Sequence, residues 1–434
     1  MSLLDNILFA IILCIGIGYF AINVKKLIRN IKLGQKVDRV NNSAQRFKNM
    51  LLIAFGQSKM INRPVAGFLH ILVYLGFIII NIEVLEIIID GLFGTHRIFT
   101  FLGGFYYFLI ASFEILAVLV LVSVFVFWTR RNVLHIKRFM SSDLSGAPKN
   151  DANIILYFEV VLMCLFLIMN ATDTAFQTTN SGNVISQFIA PWFSSYSITT
   201  LHIIERTSWW LHICGILIFL NYLYYSKHLH ILLAFPNTYF ADLNVLGKLN
   251  NLESITNEVK SMMNLGAETQ TSSTDAASVP SKFGASDVHD LNWVQLLNAY
   301  TCTECGRCTS ACPANITGKK LSPRKIMMDT RDRLEEVGRN MDKNKGVFIQ
   351  DNKSLLNDYI SKEELWACTS CNACVEECPI NISPLSIIIE MRRFLVMEQS
   401  AAPMSLNNMM ANIENNGAPW QYNQQDRLNW KCEN

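Results

Sequence analysis

Charged residues are scarce in this chain, 17% against the roughly 25% of an ordinary soluble protein, while 51% are hydrophobic. The net charge of +2 is close to neutral, so no nucleic-acid partner is expected. Lys and Arg are absent from residues 172–205. No positive stretch precedes the first apolar run, and no small-residue cleavage site follows it, so a secretory leader is a poor reading and a retained anchor a better one. No internal repeat of the kind many transporters carry is visible, which weakens a transporter reading.

Nearly all the long apolar runs lie before Pro236. Five runs reach the 20 or so residues a membrane span requires, at about 5–24, 66–89, 103–128, 152–171 and 207–230. Residues 25–65 hold ten Lys and Arg against one acid, Asp38, and the loop after the third run holds Arg130, Arg131, Lys137, Arg138 and Lys149. By the positive-inside rule these loops and everything after residue 230 face the cytoplasm, and the N-terminus lies outside. A multi-pass protein of the cell inner membrane is expected. The domain boundaries follow: a membrane part at 1–235, a linker at 236–287, an ordered soluble part at 288–400 and a tail at 401–434. The linker is richest in Ser, Thr and Ala at Thr269–Lys282.

Eight of the twelve cysteines form two C-x2-C-x2-C-x3-C-P motifs: Cys302, Cys305, Cys308, Cys312 with Pro313, and Cys368, Cys371, Cys374, Cys378 with Pro379. Three thiolates so close can hold three irons of a cubane, and the fourth falls to the other cluster. One [4Fe–4S] cluster is therefore expected on Cys302, Cys305, Cys308 and Cys378, and a second on Cys368, Cys371, Cys374 and Cys312. Zinc is the competing metal, but zinc sites favour ligand dyads separated by longer loops. Helices are expected at Ser322–Met341, opened by Pro323, and at Pro384–Met397. The fold class is mainly α, a five-helix transmembrane bundle followed by an α-helical ferredoxin domain.

Haem b in such a bundle needs imidazoles from two helices at one depth. His212 and His230 are eighteen residues apart, five turns of one uninterrupted helix, which predicts a shared face and a separation of about 27 Å. His228 should face away. His70, one turn into the second span, can meet His230. The partner of His212 is open, with His96 and His202 as candidates. One haem, or two, is expected. Glu83, Glu86, Glu114 and Glu159 fall inside spans, where acids either relay protons or pair within the bundle. Trp209 and Trp210 read as interface anchors, and Cys14, Cys164 and Cys214 as small buried residues. No catalytic residue is singled out.

The stretches GFLHILVYLGF around His70 and WWLHICGILIFLNYLYYSKHLHI from Trp209 resemble the gamma subunit of respiratory nitrate reductase and the cytochrome b subunit of membrane-bound heterodisulfide reductase. The soluble stretches TCTECGRCTSACPA, LSPRKI and WACTSCNACVEECPI, with the tail IENNGAPWQYNQQDRLNW, resemble heterodisulfide reductase-like iron–sulfur oxidoreductases. The first resemblance implies a quinone-type carrier and b haems, with His212 and His230 as the paired ligands and His70 as the inner ligand on span two. At the expected outer-ligand position this chain has Ile80 and Asn81 instead. Larger relatives continue into a Cys-Cys-Gly domain that carries the substrate chemistry, and this sequence has no Cys-Cys pair. The expectation is a redox subunit of a quinone-linked oxidoreductase whose substrate site lies on a separate cytoplasmic partner, an iron–sulfur protein with that domain or another redox protein. Trp420, Arg427 and Trp430 should lie at the junction. The alternative is a haem-free, membrane-anchored ferredoxin.

Overall fold

The computed structural model describes residues 3–179, 181–263 and 282–431. The Ser/Thr-rich stretch expected as linker lies outside them except for Lys282, as does Cys432. Among the described residues there is no strand, and the only β contacts are isolated bridges from Gln35 to Asn292 and from Leu356 to Ile360.

Five helices are long and apolar enough to cross a membrane: Leu3–Ile31, Pro64–Phe93, Gly104–Asn132, Ala147–Thr172 and Ile198–Tyr225. At about 1.5 Å per residue each exceeds the roughly 30 Å of a hydrocarbon core. The first outruns its apolar stretch because helix formation does not stop at Lys25 and Lys26. Small residues let these helices close on one another. A Cβ on Gly76 would stand 2.6 Å from Val120 Cγ2, so spans two and three meet there. Phe9, Ile110, Phe113, Phe166 and Ile213 fill the bundle core, while Phe68, Phe108 and Phe125 face outward. Trp209 belongs to that core, its ring 5.4 Å from Phe9, and does not anchor an interface. Cys14 and Cys164 lie exposed on the bundle surface and Cys214 is half-buried, so none of the three is a buried filler.

The ferredoxin part is built on helices Trp293–Thr301, Pro323–Lys343 and Pro384–Met397. Leu296, Ile326, Leu334, Ile387 and Met391 form its core. That core runs without a break into Leu27, Ala54, Leu229 and Ala234 of the membrane part. Polar contacts fix the seam: Asn30 Nδ2 donates to Tyr300 Oη at 2.9 Å, and Asn237 Nδ2 to the Ile380 carbonyl at 2.7 Å. Gly338 permits the approach of the first span, since a Cβ there would lie 2.5 Å from Asn30 Nδ2. The two parts pack as one body, with a ferredoxin end and a far end of the bundle.

The chain after Tyr222 departs from expectation twice. The segment from Pro236 does not begin as linker: Asn237, Thr238 and Ala241 are buried, inside or just beyond helix His230–Tyr239. And span five is not one helix as far as His230. It stops at Tyr222, and after a short turn Ser226 is extended at φ −115, ψ 149, its hydroxyl accepting from His228 N at 3.1 Å. The lysine after it is tied down by Asp151 Oδ2, which accepts from Lys227 N at 3.2 Å. The single uninterrupted helix from which the spacing of about 27 Å on one face was reckoned is therefore absent between His212 and His230.

Candidate metal centre

The two cysteine motifs adopt the same local structure. Helix Trp293–Thr301 opens on a reciprocal cap in which Asn292 and Gln295 exchange hydrogen bonds, and it ends by presenting Cys302. Glu304 and Gly306 then take φ values of +54° and +72°, turning the chain tightly enough to bring Cys305 and Cys308 inward. Helix Lys362–Ala367 opens on the same kind of cap from Ser361 and Glu364 and presents Cys368. Ser370 and Asn372 occupy the corresponding positive-φ positions, at +57° and +61°.

Cys302, Cys305, Cys308 and Cys378 line a common cavity, together with Cys374, Arg307 and Met327. The other set meets across the motifs as well. Burial pushes the Cys374 thiol up to about 12, and its neighbours Cys368, Cys312 and Cys371 push the same way. Burial likewise raises Cys302 to about 12 and Cys378 to about 11. Thiols so placed keep their protons until a cation compensates them, so metal uptake must release protons. Main-chain donors are already aimed at the sulfurs: Ile382 N donates to Cys378 Sγ at 3.2 Å and Ser370 N to Cys368 Sγ at 3.4 Å. Among the described residues no three His, Cys, Asp or Glu side chains form a single-ion site. Thiols arranged around a volume suit a four-iron cube better than one zinc.

The first motif is pressed onto the bundle. Arg307 NH1 donates to the Lys59 carbonyl at 3.1 Å, and Lys227 Nζ donates to Glu304. The second motif reaches the surface, where Cys371 is exposed.

Directly beneath the first motif, the rings of His70 and His230 lie 6.4 Å apart. His230 Nδ1 donates to the Lys227 carbonyl at 3.1 Å. A carbonyl only accepts, so the proton sits on Nδ1 and the Nε2 lone pair is free. His70 Nδ1 is buried without a hydrogen-bond partner. His212 is buried, and its Nδ1 donates to the Leu162 carbonyl at 3.0 Å. Among the described residues its ring neighbour is Phe166 at 6.2 Å, not an imidazole. His96 and His202 lie elsewhere, in a cavity of about 680 Å³ at the far end, which Arg206 and Trp210 also line. There His96 Nε2 stands 3.4 Å from Asp173. His228 does not face away: the helix break turns its ring to 5.3 Å from that of His230.

The membrane acids divide. Glu86 accepts from Phe99 N at 2.8 Å and from Tyr106 Oη at 3.1 Å. Glu114 accepts from Asn170 Nδ2 at 3.1 Å and from Ile185 N at 2.7 Å. Glu83 is buried, and its Oε2 has no partner. Arg97, which the sequence reading passed over, joins these groups to Asp173 at 2.9 Å and to Asn170 at 2.9 Å. Its position in a loop just past a span gave no periodic signal.

Comparison with known proteins supports an iron–sulfur electron-transfer role. The family model for a 4Fe-4S dicluster domain matches residues 301–382. A probable iron-sulfur-binding oxidoreductase, FadF of Bacillus subtilis, is 28% identical over 99% of this chain and 61% of its own length. The EtfAB:quinone oxidoreductase of Syntrophomonas wolfei is 26% identical over 92% of this chain and 55% of its own. A probable membrane-anchored ferredoxin of Chromohalobacter salexigens is 30% identical over 39% of this chain and 27% of its own. Subunits of heterodisulfide reductases match over shorter stretches. The chain spans about three fifths of the length of the first of these relatives. No solved structure matches.

Proposed function

We propose that this membrane iron–sulfur electron-transfer protein carries electrons between a quinone in the bilayer and a soluble cytoplasmic partner. Cys302, Cys305, Cys308 and Cys378 would hold one [4Fe–4S] cluster, and Cys368, Cys371, Cys374 and Cys312 the other. His70 and His230 would hold haem b. When bound, these groups supply reversible one-electron steps.

The observation that carries the reading is the histidine pair below the first motif. A haem iron held by two histidines would need two imidazoles brought close together from different helices at one depth. The rings of His70 and His230 lie 6.4 Å apart, from different helices, and would supply that pair. His230 presents Nε2 and fixes its tautomer through Lys227, as ligating histidines do. One haem is proposed and not two, since His96 is engaged with Asp173 and His202 shares that far-end cavity, leaving His212 without a second imidazole. Glu83, the buried acid with an unpartnered oxygen, is the group proposed to exchange a proton with the quinone. Quinone is also the carrier of the Syntrophomonas relative, an EtfAB:quinone oxidoreductase. The basic loops at the ferredoxin end favour a cytoplasmic ferredoxin domain.

The partner is proposed to dock on the tail. Helix Met404–Asn416 and the turn that follows bury no side chain, and Trp420 and Trp430 are 62% and 69% exposed. Deleting residues 401–434 should leave the metal content intact and abolish co-purification of the partner. The test of the whole reading is a reduced-minus-oxidised visible spectrum of the full chain in mild detergent. b-type bands support it. Their absence, with the iron retained, favours the haem-free anchored ferredoxin to which the Chromohalobacter relative points.

A further inference from the structure

Glu304 stands between two of the first motif's cysteines, is only 4% exposed, and carries a full carboxylate into that position. The ordinary remedy for a buried carboxylate is a partner, and here there are two. Lys227 Nζ donates to one oxygen, and Arg331 NH1 donates to the other at 2.8 Å. Lys227 comes from the membrane part, with its side chain only 9% exposed. Its ammonium also donates to the Pro148 carbonyl at 2.7 Å. Its own carbonyl accepts from His230 Nδ1 at 3.1 Å. One residue thus touches the cysteine loop through its side chain and the membrane histidine through its backbone. The second motif has Ser370 at the position equivalent to Glu304, and so no counterpart of this charge pair.

We propose that Lys227 and Glu304 form a charge clamp that holds the first cysteine loop over His230 and sets the reduction potential of the cluster in that loop, independently of the second. The inference rests on the cluster assignment proposed above. Reduction adds negative charge to the site. A carboxylate beside it opposes that change and an ammonium favours it, and both act in a poorly screened interior. Arg331 keeps Glu304 partnered when Lys227 is replaced, so the variant does not leave a bare buried carboxylate.

The test is a potentiometric titration of the full chain, followed by the electron paramagnetic resonance of the reduced clusters. Glu304→Gln should move the potential of one cluster to more positive values, and Lys227→Met should move the same cluster to more negative values. The double variant should fall between the two, close to the unaltered chain, and Lys227→Arg should behave as the unaltered chain. The other cluster should not shift in any variant. Iron and sulfide content is measured alongside, so that loss of a cluster is not mistaken for a shift. Single variants that shift the potential in the same direction, that shift both clusters equally, or that leave both unmoved with full iron overturn the clamp. A clamp variant that folds only with Arg at 227 supports it. If iron analysis of the unaltered chain finds no cubane clusters, the cluster assignment itself fails, and the clamp falls with it.

Discussion

The two cysteine loops share one spacing, one kind of capped helix before them and one pair of left-handed turns, yet they stand in different surroundings. The first is pressed on the bundle by Arg307 and Lys227, above two facing histidines. The second opens outward at Cys371. Local sequence therefore built the same cradle twice, and the body it was docked against made one inward and one outward. Potential in such sites depends on charge, sulfur hydrogen bonds and solvent access, so identical motifs here should not be equivalent.

The largest effect should come from crossing the motifs. Cys378→Ser should remove the cluster built on Cys302 and leave the one on Cys368, and Cys312→Ser should do the reverse, each leaving about four of eight irons. Iron analysis with electron paramagnetic resonance reads this, and loss of the cluster nearest in sequence would break the exchange. Next, His70→Ala or His230→Ala should abolish the b-type bands, and His212→Ala should retain them. His228→Ala, against the His230 ring, should shift them without loss. Glu83→Gln should slow quinol-driven reduction of both clusters alike, by about 100-fold, the usual size of a lost proton-transfer group. An effect on one cluster alone would place Glu83 outside the shared supply.

The smallest effects separate the two flanks of the docking seam. Burial alone would push the Asp143 carboxyl up, but hydrogen bonds from Arg324 outweigh it and hold it below the usual range. A lowered folded value means that this stabilisation is present above the ordinary carboxylate pKa of about 4 and is lost as pH falls through the lowered value. The Arg324 and Asp143 side chains are 1% and 9% exposed, so Asp143→Asn should cost about 3–5 kcal/mol. The Arg63–Glu377 pair is more than a third exposed on both sides, and Glu377→Ala should cost less than about 1 kcal/mol. Limited proteolysis against pH measures both. Equal sensitivity would mean that burial does not distinguish the two flanks.

Much of this protein could be read from its residues because the decisive features were local or periodic. Apolar runs of span length need no partner to be recognised, because a backbone in lipid must bond to itself. The cysteine spacings and the helices after Ser322 and at Pro384 were legible for the same reason. The meeting of His70 with His230 was also legible, since His70 lies near the start of span two and His230 just past the end of span five, at the same end of the bundle. Other features were not. The break at Ser226 carried a capping serine, yet the apolar run around it read as continuous helix. Arg97 and its acids depend on loops folding back over the bundle, which no spacing reports.

By itself the sequence determined the membrane spans, the mainly helical class and the two cluster-binding motifs, because hydrophobic length and thiolate spacing act over short stretches of chain. Only the tertiary structure decided which motif packs against the helix bundle, which way His228 points, that Oε2 of the buried Glu83 is left without a partner, and which lysine meets Glu304. Those depend on residues such as Lys227 and Glu304, 77 positions apart, brought together by packing. Burial then gives their charges a strength that exposure to water would have removed.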